Sequence, residues 1–179
     1  MKKAMGLVFL ASLLSACATT GTQTTDIQTS EARSAVENWS SASKLAALKL
    51  IQEYGPPDRI DDGSLVWTNT GPWSRTEVLN LTSSPDIIEQ SVSYQVPNDE
   101  RAALADFSDK LHVSEDGWQL SVRGASEAEN FLTINLAAEI IKGYTKPDEA
   151  RRDFAKTMDL RASGKSSSLT EGLLFPPES

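Results

Sequence analysis

Apolar positions recur at two periods along this chain, and the changes of period mark out its elements. From about Glu31 to Tyr54 the spacing is helical, most strongly over SASKLAALKLIQEYG, where Leu45, Leu48 and Ile51 fall every three residues. Gly55 followed by Pro56 and Pro57 stops that helix. Strand-like runs follow: SLVWTN, RTEVLNL and IIEQSVSYQV. In the last, Ile88, Val92, Tyr94 and Val96 share one face, and Glu89, Ser91, Ser93 and Gln95 share the other. Such alternation predicts a half-buried antiparallel strand. Asn69-Thr70-Gly71-Pro72 supplies the turn between the first two runs.

The second half returns to helix, then strand, then helix. PNDERAALADF reads as a short helix capped by Asn98. LHVSEDGWQLSVRG reads as a hairpin with a two-residue Asp116-Gly117 turn, flanked by Leu111, Val113, Trp118, Leu120 and Val122. Ser126-x-x-Glu129 is a capping box for a helix whose stripe holds Phe131, Leu132, Leu136 and Ile140. A last helix runs from Lys146 or Pro147 to Met158. Nothing repeats, and no strand–helix alternation calls for a parallel sheet. The order predicts an α+β domain in two layers, an antiparallel sheet of about five strands with helices on one face.

The first residues carry a different pattern. Lys2 and Lys3 precede an uncharged apolar run, Ala4 to Leu14. That length suits a signal-peptide core and falls short of the ~20 residues a membrane-spanning helix needs. Leu14-Ser15-Ala16-Cys17 follows, and Cys17 is the chain's single cysteine. This resembles the lipobox of bacterial lipoproteins. The resemblance implies cleavage between Ala16 and Cys17, a diacylglyceryl thioether on Cys17 and acylation of the new amino group. Ala18 in place of Asp implies the outer membrane of a Gram-negative cell. The alternative is ordinary secretion, with Ala16-Cys17-Ala18 as an A-x-A site, which leaves an unpaired thiol in an exported protein. The expected organisation is a signal peptide at 1–16, lipidated Cys17 with a flexible tether at 17–30, one periplasmic domain at 31–158 and a disordered tail at 159–179.

Charge narrows the partners. The full chain has 17 basic and 25 acidic residues, a net charge of −8. Removing residues 1–16 takes away Lys2 and Lys3 alone, leaving about −10. Nucleic acid is disfavoured as a partner, because its affinity comes from Lys and Arg on phosphates. The expected partners are the membrane, through Cys17, and an envelope protein. No cofactor is expected.

Tests for chemistry fail one after another. Gly164-Lys165-Ser166 echoes a phosphate-binding loop, but the glycine that motif requires at position 159 is Asp159. His112 is the only histidine and lacks partners at ligand spacing. Asp61-Asp62-Gly63 and Glu115-Asp116-Gly117 read as turns, since neither fits a spaced calcium loop. No G-x-S-x-G elbow is present. The expectation is a protein without catalysis. Trp67 and Trp73 bracket a tight turn with Arg75 just beyond, and two readings stay open for them. Both tryptophans fill the layer between sheet and helices, or Trp67, Trp73 and Arg75 form an interaction surface for a protein, a small ligand or a glycan.

Tyr54-Gly55-Pro56-Pro57-Asp58, after an amphipathic helix and before a strand reaching Trp67, is similar to the opening of the SmpA/OmlA (BamE-type) accessory lipoproteins. Those assist β-barrel assembly in the outer membrane. The likeness covers about thirty residues. The second hairpin and the C-terminal helical pair depart from it. GPW and EAENFLTINLAAEIIKG, followed by EARRDFA, are similar to an uncharacterised family of proteobacterial lipoproteins. The role implied is an envelope interaction or assembly accessory.

Overall fold

The computed structural model describes residues 20–177, with side chains from residue 24. The lipobox, Cys17 and the Ala16–Cys17 bond lie outside the described residues. In chain order the elements are α1 (Thr20–Ala35), α2 (Ser41–Tyr54), β1 (Arg59–Asp61), β2 (Ser64–Thr70), β3 (Trp73–Leu79), β4 (Ile88–Ser93), α3 (Arg101–Phe107), β5 (Leu111–Val113), β6 (Gln119–Gly124), α4 (Glu127–Ile141) and α5 (Pro147–Ala162). A 3-10 turn follows at Ser168–Thr170.

The sheet is antiparallel throughout, in the order β1-β2-β3-β4-β6-β5. It is the α+β architecture that the periodicity predicts, with six strands rather than about five. The added strand is β1, three residues that fold back on β2 through Asp62-Gly63, pairing Ile60 with Leu65. Gly63 takes φ 93°, a conformation that side chains disfavour, so the turn needs glycine there.

The helices cover one face. Two apolar clusters fill the layer beneath them. One joins Ala32, Val36, Leu50 and Ile51 to Leu65, Trp67, Val78 and Ile88. The other joins Phe131, Leu132 and Leu136 to Trp73, Val92, Leu120 and Val122. Tyr54, at the end of α2, packs against both and marks the seam. The opposite face of the sheet carries charge: Arg75 pairs with Glu77 at 2.7 Å, and Arg123 Nη2 reaches Glu89 at 2.5 Å. Among the described residues no helix is long and apolar enough to cross a membrane.

Asn98 does not cap the short helix, which begins at Arg101 after Glu100, and four further expectations need correction. The helix expected over 31–54 is two helices, broken before Ser40. Ser40 N donates to Asn80 Oδ1 at 3.0 Å, and Ser40 Oγ accepts from Ser43 N at 3.3 Å, starting α2 afresh. The tether expected at 17–30 is helical from Thr20 onward. Its described side chains are nearly all exposed, as their composition requires, but Ala32 is buried. Extending a helix from a docked end avoids the cost of nucleation. The hairpin turn is longer than two residues, since the ladder ends at Val113 and Leu120. Asp116 Oδ1 holds the loop by accepting from Ser114 Oγ at 2.6 Å and Trp118 N at 3.1 Å, and these bonds lower its pKa. Trp118 is consequently 53% exposed rather than inward.

The tail expected to be disordered from 159 is the fourth correction. α5 continues to Ala162, and the chain then lies along α4. Asn135 donates to the carbonyls of Leu169 (3.1 Å) and Gly172 (2.8 Å), and its Oδ1 accepts from Leu174 N at 2.8 Å. Phe175 meets Tyr94 edge to face at 4.8 Å. Leu169, Leu173 and Phe175 carry this docking, while Leu174 is exposed, against a polar composition that argues for solvation.

Candidate functional site

The structure separates the residues of the candidate interaction surface. Trp67 and Trp73 are each only 1% exposed. Trp67 lies under α2 and donates its indole N–H to Gly55 O at 3.1 Å. Trp73 stacks on Phe131 at 4.8 Å between ring centres, with 24° between planes. Arg75 points to the charged face, between Glu77 and Glu89. The tryptophans therefore fill the interlayer, and a recognition surface or glycan platform built on Trp67, Trp73 and Arg75 is corrected. The turn between them is shaped by Asn69 (φ 51°) and Gly71 (φ 60°). It returns the chain so that Trp73 meets α4.

What Trp73 reaches there is a buried carboxylate. Glu127 opens α4, a position the helix dipole favours for an acid. Its Oε1 accepts from Trp73 Nε1 at 2.8 Å, from Gln90 Nε2 at 3.0 Å and from the Tyr54 hydroxyl. Gln90 Nε2 also contacts Thr76 Oγ1 at 3.3 Å, and Gln90 Oε1 accepts from Asn130 Nδ2 at 2.9 Å. Asn130 Nδ2 bonds Ile88 O as well. Burial, and then the hydrogen bond to Glu127, push the Tyr54 hydroxyl far above the usual tyrosine range. The network ties α2, β3, β4 and α4 together at the seam between the two apolar clusters. Asn130 Oδ1 is buried without a partner among the described residues and lies against Gly124, where a Cβ would come to 2.4 Å. Gly124 is required by that approach.

Above Glu127 runs a groove of about 350 Å³. Its walls are Leu45, Ala46 and Leu50 of α2 and Pro85, Ile87 and Ile88 ahead of and within β4, with Lys49 at the rim. Leu45, on the groove's lip, is 72% exposed. Glu127 is also among its lining residues, and its hydrogen bonds all go to Oε1, leaving Oε2 without a partner among the described residues. A second concavity, about 630 Å³, is polar and includes Asp86, Lys110, His112 and Arg123. Its cations are engaged. Lys110 Nζ bridges Asp86 and Glu129, each at 2.8 Å, and Arg123 pairs with Glu89. Burial alone would lower the Lys110 pKa, but those two carboxylates outweigh it and hold it above its usual value. Among the described residues no three His, Cys, Asp or Glu side chains group to hold a metal ion.

The sequence reading passed over Glu127, although a signal was present. Gln90 sits among Ile88 and Val92 on the inward face of a strand, and Asn130 adjoins Phe131 and Leu132 in an apolar helix. Polar residues on buried stripes must find partners; these two bond each other, and Gln90 goes on to Glu127. Comparison with known proteins gave no match: no family model, no curated protein and no solved structure is significantly similar to this chain.

Proposed function

We propose that the chain is a lipid-anchored module of the bacterial envelope that acts by binding a protein partner, without catalysis. The groove beneath Leu45 carries this reading. An apolar channel with an exposed leucine at its lip and a buried carboxylate in its lining has the composition of a recognition site, with few polar groups and fixed ones. The surrounding polar side chains meet at Glu127 Oε1, its Oε2 takes no hydrogen bond among the described residues, and Glu127 lines the groove. Leu14-Ser15-Ala16-Cys17 supports the anchor, and Cys17 stands three positions before α1.

The test combines fractionation with crosslinking in cells. The native chain is expected in the outer membrane and Cys17→Ser in the soluble periplasm. A photocrosslinking residue in place of Leu45 is expected to capture one reproducible envelope protein. A native chain that is soluble and forms no adduct from position 45 overturns the reading.

A further inference from the structure

The chemistry of the groove selects what enters it, and this step rests on reading the groove as the docking surface. We propose that it receives a lysine side chain of the partner polypeptide, with the methylene stem along the apolar wall and the ammonium on Glu127 Oε2.

Glu127 is 7% exposed, so its carboxylate is fixed and largely shielded from bulk water. Oε1 already accepts three hydrogen bonds. Oε2 accepts none among the described residues, yet it is not among the fold's dry, unpartnered atoms. It therefore meets solvent where Glu127 lines the groove. A single oxygen at the end of an apolar channel asks for a donor carried on a hydrophobic stem, and lysine buries such a stem while directing its charge to a polar end. Arginine fits less well. Its planar fork engages both oxygens of a carboxylate, and here one is saturated, whereas an ammonium is a compact charge that needs only one. A metal ion would find no second acid among the lining residues, and an anion would face Glu127. Lys49, the groove's own cation, is exposed at the rim and free to turn its ammonium to water. At about 350 Å³ the groove is near the lower end of ligand pockets, ~300 Å³, room for one long side chain.

The probes are n-pentylamine, n-pentanol and n-pentylguanidine, titrated into the purified full chain and followed by NMR. The resonances to watch are the amides of Ala46, Ala125 and Ser126 and the Trp73 indole N–H. The amine is expected to bind at least ten-fold tighter than the alcohol and several-fold tighter than the guanidine. Glu127→Gln keeps an acceptor for Tyr54, Trp73 and Gln90 and is expected to abolish the amine's advantage. Ala42→Trp, which fills the groove without touching the network, is expected to remove binding of all three. Equal binding of amine and alcohol, an undiminished preference in Glu127→Gln, or amine shifts spread over the acidic surface instead of the groove would overturn the proposal. Crosslinking from position 45 scores the docking surface separately. An adduct without amine preference leaves the groove standing and removes the lysine, and the loss of both removes both.

Discussion

Glu127 and Glu129 stand two residues apart in the first turn of α4 and are 7% and 8% exposed, yet they are partnered in opposite ways. Glu127 turns into the seam of the core and collects neutral donors on one oxygen. Glu129 turns to the sheet edge, where Oε1 takes the Lys110 ammonium and Oε2 accepts from Ala125 N at 3.2 Å, one residue ahead of the Ser126 cap. Equal burial thus hides unequal hydrogen bonding. Both oxygens of Glu129 are engaged, whereas Glu127 Oε2 has no partner among the described residues.

The sharpest way to break this contrast is to remove each carboxylate. Glu127→Ala strands three donors, those of Trp73 and Gln90 buried and that of Tyr54 partly so, and is expected to cost about 3 kcal/mol in urea unfolding, at ~1–3 kcal/mol per unsatisfied group with partial relaxation. Glu127→Gln should recover most of that. Glu129→Ala should cost about 1–2 kcal/mol, the worth of a cap and a half-exposed ion pair. Gly124→Ala drives a methyl into Asn130 Oδ1, and overpacking of this kind costs about 1–3 kcal/mol. The loss should shrink when Asn130 is Ala in a double-mutant cycle. Trp73→Phe keeps the stack on Phe131 and deletes the indole donor, a loss of about 1 kcal/mol.

Alkaline pH separates the two sites more gently. Tyr54 and Lys110 both have raised pKa values in the folded state, from 10.0 and 10.5 respectively. A raised folded pKa means stability that is fully present below the unfolded value and lost as pH rises beyond it. The native chain should therefore lose stability above about pH 10. Tyr54→Phe should flatten that limb by removing the group whose ionisation would set a phenolate against Glu127. Lys110→Met should flatten it far less, because a partly exposed ammonium between two acids is worth about 1 kcal/mol or less. Chemical denaturation midpoints between pH 8 and 11 give the comparison.

Much of the fold was legible because its strands alternate cleanly and its long helices are capped. Ile88, Val92, Leu120 and Val122 face the helices as their periodicity requires, and Ser126 caps α4 as its spacing requires. The misses share a physical cause. β1 is three residues long and gains its stability from pairing with β2, so no local pattern announces it. α1 and the segment at 168–175 are polar stretches ordered by a few apolar anchors, Ala32 in one and Leu173 and Phe175 in the other, and averaging over composition conceals them. The site was least legible of all. Tyr54, Trp73, Gln90 and Glu127 come from four elements, and only folding brings them to one oxygen.

α1 reaches the rest of the molecule through its last turns. Ala32 is its buried residue and Val36 follows just beyond it, while the described side chains before Thr29 are exposed. Sixteen residues of helix extend about 24 Å. A pull applied at its N-terminal end would load that short apolar contact before any strand of the sheet, one residue at a time, as a strip is peeled. Under such a load α1 is expected to detach at Ala32 and Val36 first, with the Glu127 network and the sheet still whole.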